Sequence, residues 1–166
     1  MISSSLLLRG RVLAAALVLS AAPLGAAEKL WSAKLPEKPA WNNLTELGTL
    51  LVGTKGAVQA YDPDTGALLW TREDLDKTNA FNAREVPGTP YLLCNHSSGM
   101  AGSKVRLLAI DYLSGETVWE ADQIMGQYLA TYPIPQHNLV LFVFNGWGGS
   151  RDEQGMIVRA HDLFTG

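Results

Sequence analysis

The sequence contains a single cysteine, Cys94, among its 166 residues. One cysteine cannot form an internal disulfide, which excludes the class of small secreted domains held together by disulfides. No apolar run reaches the roughly 20 residues of a membrane-spanning helix, and no long stretch shows helical periodicity. The formal net charge of −3 provides no basic surface for nucleic acid or an anionic membrane. What remains is a chain of short strands and turns.

The first 27 residues have the features of a secretory signal peptide. Arg9 and Arg11 supply positive charge, and the apolar run 12–22 that follows is eleven residues long, too short for a membrane anchor. Small residues ending at Ala27 suit a cleavage site, and no cysteine nearby would allow a lipid anchor. The sequence therefore predicts a secreted or periplasmic protein, residues 28–166, without a stable membrane anchor.

The pattern Ala-x-Asp-x-x-x-Gly-x-x-x-Trp recurs along the remaining chain. Its copies are Ala60, Asp62, Gly66 and Trp70; then Ala109, Asp111, Gly115 and Trp119; then Ala160, Asp162 and Gly166, where the sequence given stops. The aspartates are 49 and then 51 residues apart. Self-similarity at such a period is the signature of a repeat protein.

Each copy of the pattern predicts a β-hairpin. Apolar residues lie two and four positions before each Asp, which places them on one face of a strand. The Asp side chain can accept backbone N–H groups just ahead of it, and glycine can adopt the positive φ of such a turn. A large ring at one fixed position suits the docking of each unit on the next. We therefore expect Gly66 and Gly115 to hold turns, and Trp70 and Trp119 to dock neighbouring units.

The repeat resembles the tryptophan-docking motif of the pyrroloquinoline-quinone-type (PQQ-like) β-propellers. This family includes quinoprotein dehydrogenases and BamB-like outer-membrane assembly scaffolds, and the resemblance covers nearly everything after residue 30. It implies an all-β fold, a partial β-propeller of about three four-stranded blades near residues 41–70, 71–119 and 120–166. Propellers close with roughly four to eight blades, so we expect the sequence to be part of a longer chain, incomplete at its C-terminus.

Two further features bear on the ends and loops of these units. Trp31 resembles the end of a repeat without the preceding turn, and it is either part of a strand that completes a last blade or an exposed aromatic residue. The connection between the second and third strands of each unit is predicted to lengthen from four residues to Asn95–Ser103 and then Asn145–Gly155. Equivalent loops of stacked repeats lie on one face, so these loops are candidates for binding, with Trp147 and Arg151 as possible partner contacts.

The sequence contains no residue pattern typical of a catalytic, cofactor-binding or metal-binding site. The stretch from Asp62 to Gly66 has an aspartate-rich start, but Ala67 stands where a calcium loop needs glycine. Cys94 and His96 have no further ligands at metal-binding spacing and no third catalytic group. The Gly-rich stretch 145–150 lacks the lysine of a phosphate-binding loop.

The resemblance also implies which residues a dehydrogenase of this family would need. Quinoprotein dehydrogenases stack the quinone against a disulfide of adjacent cysteines and hold calcium through Glu, Asn and Asp near a catalytic Asp. No position of this chain matches those motifs. The leading interpretation is therefore a secreted, non-catalytic binding or scaffold module with a protein partner, able to self-associate through open blade edges. The alternative is the N-terminal fragment of a PQQ-dependent dehydrogenase, whose PQQ and calcium site would lie beyond residue 166.

Asn43 and Asn95 each begin an N-glycosylation sequon. These sequons matter only if the host glycosylates its secreted proteins.

Overall fold

The computed structural model describes residues 28–76, 78–98, 104–147 and 154–166, and the predicted signal peptide lies outside them. Over these residues the chain forms ten strands and two short 3-10 helices, Glu73–Leu75 and Pro135–His137. The strands are β1 Trp41–Leu44, β2 Leu50–Gly53, β3 Val58–Tyr61, β4 Leu68–Arg72, β5 Ala83–Glu85, β6 Tyr91–Ser98, β7 Lys104–Asp111, β8 Thr117–Ile134, β9 Leu139–Trp147 and β10 Gln154–Asp162. The predicted all-β class is confirmed.

The strands form two antiparallel sheets of simple up-and-down order. The first sheet contains β1 to β4 and the second contains β5 to β10, with each strand paired to its neighbours along the chain. Short connections between consecutive strands make this local pairing the direct outcome of the turn-rich sequence. Within the described part of the chain the sheets do not close into a ring.

Strand β8 joins two halves of the second sheet. Its first part pairs with β7 as far as Met125, and its second part pairs with β9 from Gly126 to Ile134. Gly126 has φ +155, and a Cβ there would lie 2.9 Å from the carbonyl oxygen of Asn145. Glycine is thus required where the strand passes from one partner to the other. We therefore treat the two halves of this sheet separately. From here on, the second sheet means β5, β6, β7 and β8 up to Met125, and the third sheet means β8 from Gly126 onward with β9 and β10.

Strands β6 and β7 form a layer that is buried on both faces. Leu92, Leu108 and Ile110 pack towards the first sheet, whereas Leu93 and Leu107 pack towards the third sheet. Because adjacent residues of a strand point to opposite faces, burial on both sides calls for nearly continuous apolar runs. The sequence supplies them in both strands.

The two predicted binding loops are shorter than expected. β6 continues through Ser98 and β9 through Trp147, so the first residues of each predicted loop belong to strands. Asn95 is only 3% exposed, and its backbone N–H donates to the Asn82 carbonyl oxygen at 2.9 Å. The polar residues around Asn95 are typical of a loop. In the structure they belong to β6, and pairing with β7 provides partners for their backbone N–H and C=O groups. Asn95 is therefore inaccessible as a glycosylation acceptor in the folded protein, whereas Asn43 is exposed.

Candidate functional site

The three Asp-x-x-x-Gly segments form the same turn. In the first, Asp62 Oδ1 accepts the backbone N–H groups of Asp64 and Thr65 at 2.9 and 2.8 Å, and the Gly66 N–H donates to the Asp62 carbonyl oxygen at 2.8 Å. Asp111 and Asp162 make the equivalent bonds in the other copies. The three glycines have φ values of +73, +79 and +78, in the region that favours glycine.

Hydrogen bonding of the turn stabilises the ionised aspartates. The backbone N–H of Thr65 lowers the pKa of Asp62, and the backbone N–H of Phe164 lowers the pKa of Asp162. One oxygen of each carboxylate, Oδ1, thus accepts N–H groups of its own turn. These hydrogen bonds give each repeated aspartate a role in the structure of its turn.

A tryptophan ring lies on each of the three turns. Trp31 Nε1 donates to the Pro63 carbonyl oxygen at 2.7 Å, and Trp70 Nε1 donates to the Tyr112 carbonyl oxygen at 3.0 Å. Trp119 Nε1 makes the same bond to Leu163 at 2.8 Å. The acceptor always follows the motif aspartate, so each tryptophan contacts the turn that lies one unit further along the chain.

The glycine of each turn also makes room for the indole ring. A Cβ built on Gly66 would lie 2.5 Å from Trp31 Cε3, and one on Gly115 would lie 2.7 Å from Trp70 Cγ. At Gly166 the distance to the Trp119 ring would be 3.1 Å. We call these contacts the tryptophan–glycine joints. At Gly66 and Gly115 the joint thus needs glycine both for its backbone conformation and for close packing, whereas at Gly166 a Cβ would make only a tight contact.

Trp31 makes the first joint although it belongs to no strand. It is half-buried, so the alternative of an exposed aromatic residue is wrong. The segment around it covers the outer side of the first sheet, where Trp31 and Leu35 face Val52 and Tyr61 across a small cavity of about 130 Å³. Glu37 fixes the end of this segment by accepting the Gly56 N–H at 3.0 Å.

A network of charged side chains braces the boundary between the first and second sheets. Asp74 accepts hydrogen bonds from Arg72 at 2.7 Å and from Arg106 at 3.2 Å, and Arg106 in turn binds Glu120 at 2.7 and 2.8 Å. Arg72 also donates to the Gly115 carbonyl oxygen at 2.7 Å, on the turn that carries Trp70. This network could not be predicted from the repeat, because its members occupy no repeated position.

The network predicts an acid-dependent loss of stability. The hydrogen bond from Arg72 lowers the pKa of Asp74 from 3.8 to about 2, so the unfolded chain binds a proton more readily than the native protein between these values. Stability should therefore fall as the pH drops from about 5 to 2. Urea unfolding across this range should show a smaller fall for Asp74→Asn than for the wild type, by up to about 1 kcal/mol because the pair is partly exposed. The exposed control Asp64→Asn should retain the wild-type slope, and an equal slope in all three proteins would contradict the assignment.

Cys94 and His96 lie two residues apart in β6 and have separate environments. Burial raises the pKa of the Cys94 thiol to about 12, so it is protonated at physiological pH and is a poor nucleophile. His96 Nε2 lies 3.2 Å from Asp76 Oδ1. Within the described residues, no three His, Cys, Asp or Glu side chains are grouped to hold a metal ion, and no helix has the length and apolar character to cross a membrane.

The third sheet has an exposed apolar side. Met156 and Val158 of β10 are 71% and 58% exposed. Val143 of β9, which pairs with Val158, and Leu141, which pairs with Ala160, lie on the same side. Tyr132 of β8 extends it. We call this surface the open face; it consists of Tyr132, Leu139, Leu141, Val143, Met156 and Val158.

The exposure of the open face sets the third repeat apart from the other two. Val158 is the counterpart of Val58 and Leu107, both fully buried at 0% exposure. Ala160 is likewise exposed, whereas Ala60 and Ala109 are fully buried. Equivalent positions thus differ in whether another sheet covers them.

The remaining predicted contact residues contribute little to the described surface. Arg151 and the Trp147 side chain lie outside the described residues, although the Trp147 backbone pairs with Gln154.

A shallow cleft of about 370 Å³ separates β1 from β5 beside the exposed Phe81.

No protein-family model matches the chain, and no curated protein matches it. Among solved structures, it is similar to the crystal structure of the computationally designed Ika4 protein, with a TM-score of 0.56 and 13% identity. The match covers 85% of this chain and 76% of Ika4. At this identity the likeness concerns the arrangement of strands and carries no functional information.

Proposed function

We propose that this chain is a secreted, non-catalytic protein-binding module built from blades of a PQQ-like β-propeller. Its first blade is the first sheet, its second comprises β5, β6, β7 and the first part of β8, and its third is the third sheet. The support for this division is that one tryptophan–glycine joint occurs at each of the three turns. The signal-like first 27 residues support placing it outside the cytoplasm.

The observation that carries the binding function is the open face. Soluble monomers rarely expose contiguous apolar surface beyond a few hundred Å², and larger patches mark sites of interaction. Here the side chains concerned come from three adjacent strands, and the counterparts of Val158 in the other units, Val58 and Leu107, are fully buried. Covering them with a partner protein would remove apolar surface from water, at about 25 cal/mol per Å² before the entropy of association is subtracted.

The joints explain how such a module would present the open face. Each tryptophan is fixed by packing on glycine and by an indole hydrogen bond, so successive sheets are held in one relative position. A preorganised surface loses less entropy on binding than a flexible one. The proposed role of the repeat is therefore to display one rigid apolar surface.

Replacement of Val158 by aspartate tests this proposal. Immobilised wild-type protein is exposed to an extract of the compartment into which the host secretes it, and captured proteins are identified by mass spectrometry. Val158→Asp should abolish capture, because it places a charge in the open face. The control Leu69→Asp, at a 48% exposed position of β4, should behave like the wild type; equal capture by all three proteins would contradict the proposal.

Calorimetric titration with PQQ in the presence of calcium tests whether this chain itself carries a quinone site; because the dehydrogenase alternative places that site beyond residue 166, only observed binding would discriminate between the two interpretations. We expect no saturable binding, since the turn aspartates are engaged by their own backbone N–H groups. Saturable, calcium-dependent binding of PQQ to the purified chain would favour the enzyme.

A further inference from the structure

We propose that β5 is a docking strand: an extended peptide segment adds to its free edge and places an acidic side chain beside Arg84. This site is separate from the open face and does not depend on it. Three features of the structure lead to it: a free strand edge, a cleft on each side of that edge, and an arginine without an acidic partner.

Strand β5 ends the order of its sheet, so no strand of the described chain covers its outer edge. Directly after β5, the Val86 N–H donates to the Tyr91 carbonyl oxygen at 2.9 Å. Because such bonds recur at every second residue of an antiparallel strand, the backbone groups of Arg84 also face β6, whereas those of Glu85 face outward. The Glu85 N–H and carbonyl groups can therefore pair with an added strand, which is one way that sheet edges bind peptides.

A cleft lies on each side of β5. The cleft towards the first sheet has a volume of about 370 Å³, and Asn42 and Phe81 are among the residues that line it. The cleft towards the third sheet has a volume of about 420 Å³, and its lining includes Pro133 and Gln136. Both volumes lie within the range of small-ligand pockets, roughly 300–1,000 Å³, so each cleft has room for a side chain.

The two clefts suit the alternation of side chains along a strand. Successive side chains of a strand point to opposite faces, so a strand added to β5 would direct its side chains into the two clefts in turn. Phe81 is 87% exposed and offers an apolar surface to the side chains that enter the first cleft. The first cleft therefore favours apolar side chains on the added strand.

Arg84 favours an acidic side chain between them. It is exposed and lines both clefts, and its guanidinium makes no hydrogen bond or ion pair with any described residue. The neighbouring Glu85 is already engaged, because its carboxylate accepts the Glu46 N–H at 2.8 Å and the Tyr112 O–H at 3.1 Å. A residue directly opposite Arg84 on an added strand shares its face, and a carboxylate there can form a charge-assisted pair with the guanidinium. The ligand class is therefore an extended peptide with an acidic residue between apolar ones.

Selection of short random peptides, displayed on phage, against the purified protein tests the site. Enriched peptides should share an acidic residue flanked by apolar residues, and their synthetic versions should bind more weakly as the salt concentration rises. Arg84→Glu should raise their dissociation constant at least tenfold, because it replaces the charge-assisted pair by repulsion. The control Lys55→Glu makes the same change of charge at an exposed turn and should leave the dissociation constant unchanged. Thermal unfolding of both variants should match that of the wild type, since both side chains are exposed.

Methylation of the peptide backbone distinguishes an added strand from other modes of binding. A methyl group on a peptide N–H that faces β5 should abolish binding. Methylation of the next residue, whose N–H points away from β5, should leave binding intact, because the N–H groups of a strand alternate in direction.

The possible outcomes separate this site from the open face. A selection without enrichment, peptides that bind Arg84→Glu as tightly as the wild type, or equal effects of methylation at successive residues would each overturn the inference. Peptides whose binding is lost in Val158→Asp but not in Arg84→Glu would lie on the open face and would also overturn it. The proposed function is tested separately by protein capture with Val158→Asp, so either proposal can fail alone.

Discussion

Replacing Trp119 by alanine is expected to lower the free energy of unfolding by about 3–5 kcal/mol, as for other large buried aromatic residues. The Trp119 side chain is 6% exposed and packs edge-on against Phe142 and flat against the His161 ring. Alanine would leave a cavity there and also remove the indole hydrogen bond to Leu163. Chemical denaturation followed by circular dichroism measures the change.

The variant Trp119→Phe provides the matched control. Phenylalanine keeps much of the packing but has no N–H to donate, so we expect a smaller loss than for alanine. The hydrogen bond itself should account for about 1 kcal/mol. A loss below about 1 kcal/mol for a folded Trp119→Ala protein would show that this residue does not hold the units together.

Replacing Gly115 by alanine is expected to destabilise the protein by about 2–4 kcal/mol. Part of this loss, about 1–2 kcal/mol, arises because the backbone at φ +79 is unfavourable for a residue with a Cβ. The rest arises because the new Cβ would lie 2.7 Å from Trp70 Cγ, which forces the indole ring off the turn. Denaturant unfolding of the single variant measures the sum.

Gly48→Ala separates the two contributions. Gly48 has nearly the same φ, +81, but a Cβ built on it meets no atom within 4 Å. Its replacement should therefore show the backbone contribution alone. Equal losses for Gly48→Ala and Gly115→Ala would mean that the close contact with Trp70 contributes nothing.

The repeat pattern predicts much of the local structure because it depends on few residues. An aspartate that accepts nearby N–H groups and a glycine with positive φ are sufficient to define a turn. Alternating apolar residues before Asp62 and Asp111 define the strands that lead into it. These interactions lie within one unit, so they can be predicted from the residues close by in the sequence. The all-β class follows from the same pattern.

Features that depend on distant contacts could not be predicted from the sequence. Strand β8 changes partner where Gly126 closely approaches Asn145, a contact between residues distant in the sequence. Likewise, Asp74 and Arg106 meet only because two sheets pack together. The carbonyl acceptors of the joints leave no side-chain signal at all. The open face is also invisible in the sequence, since Val158 matches residues that are buried elsewhere.

A double-mutant cycle between Trp70 and Gly115 tests most directly the claim that a tryptophan of one unit is held by the glycine turn of the next. We expect Gly115→Ala to cost much less in a Trp70→Ala background, close to the effect of Gly48→Ala, because the clash with the ring has been removed. The coupling energy should be at least about 1 kcal/mol, as for residues in direct contact. Additive effects, with a coupling below about 0.5 kcal/mol, would contradict the joint and the repeat architecture built on it.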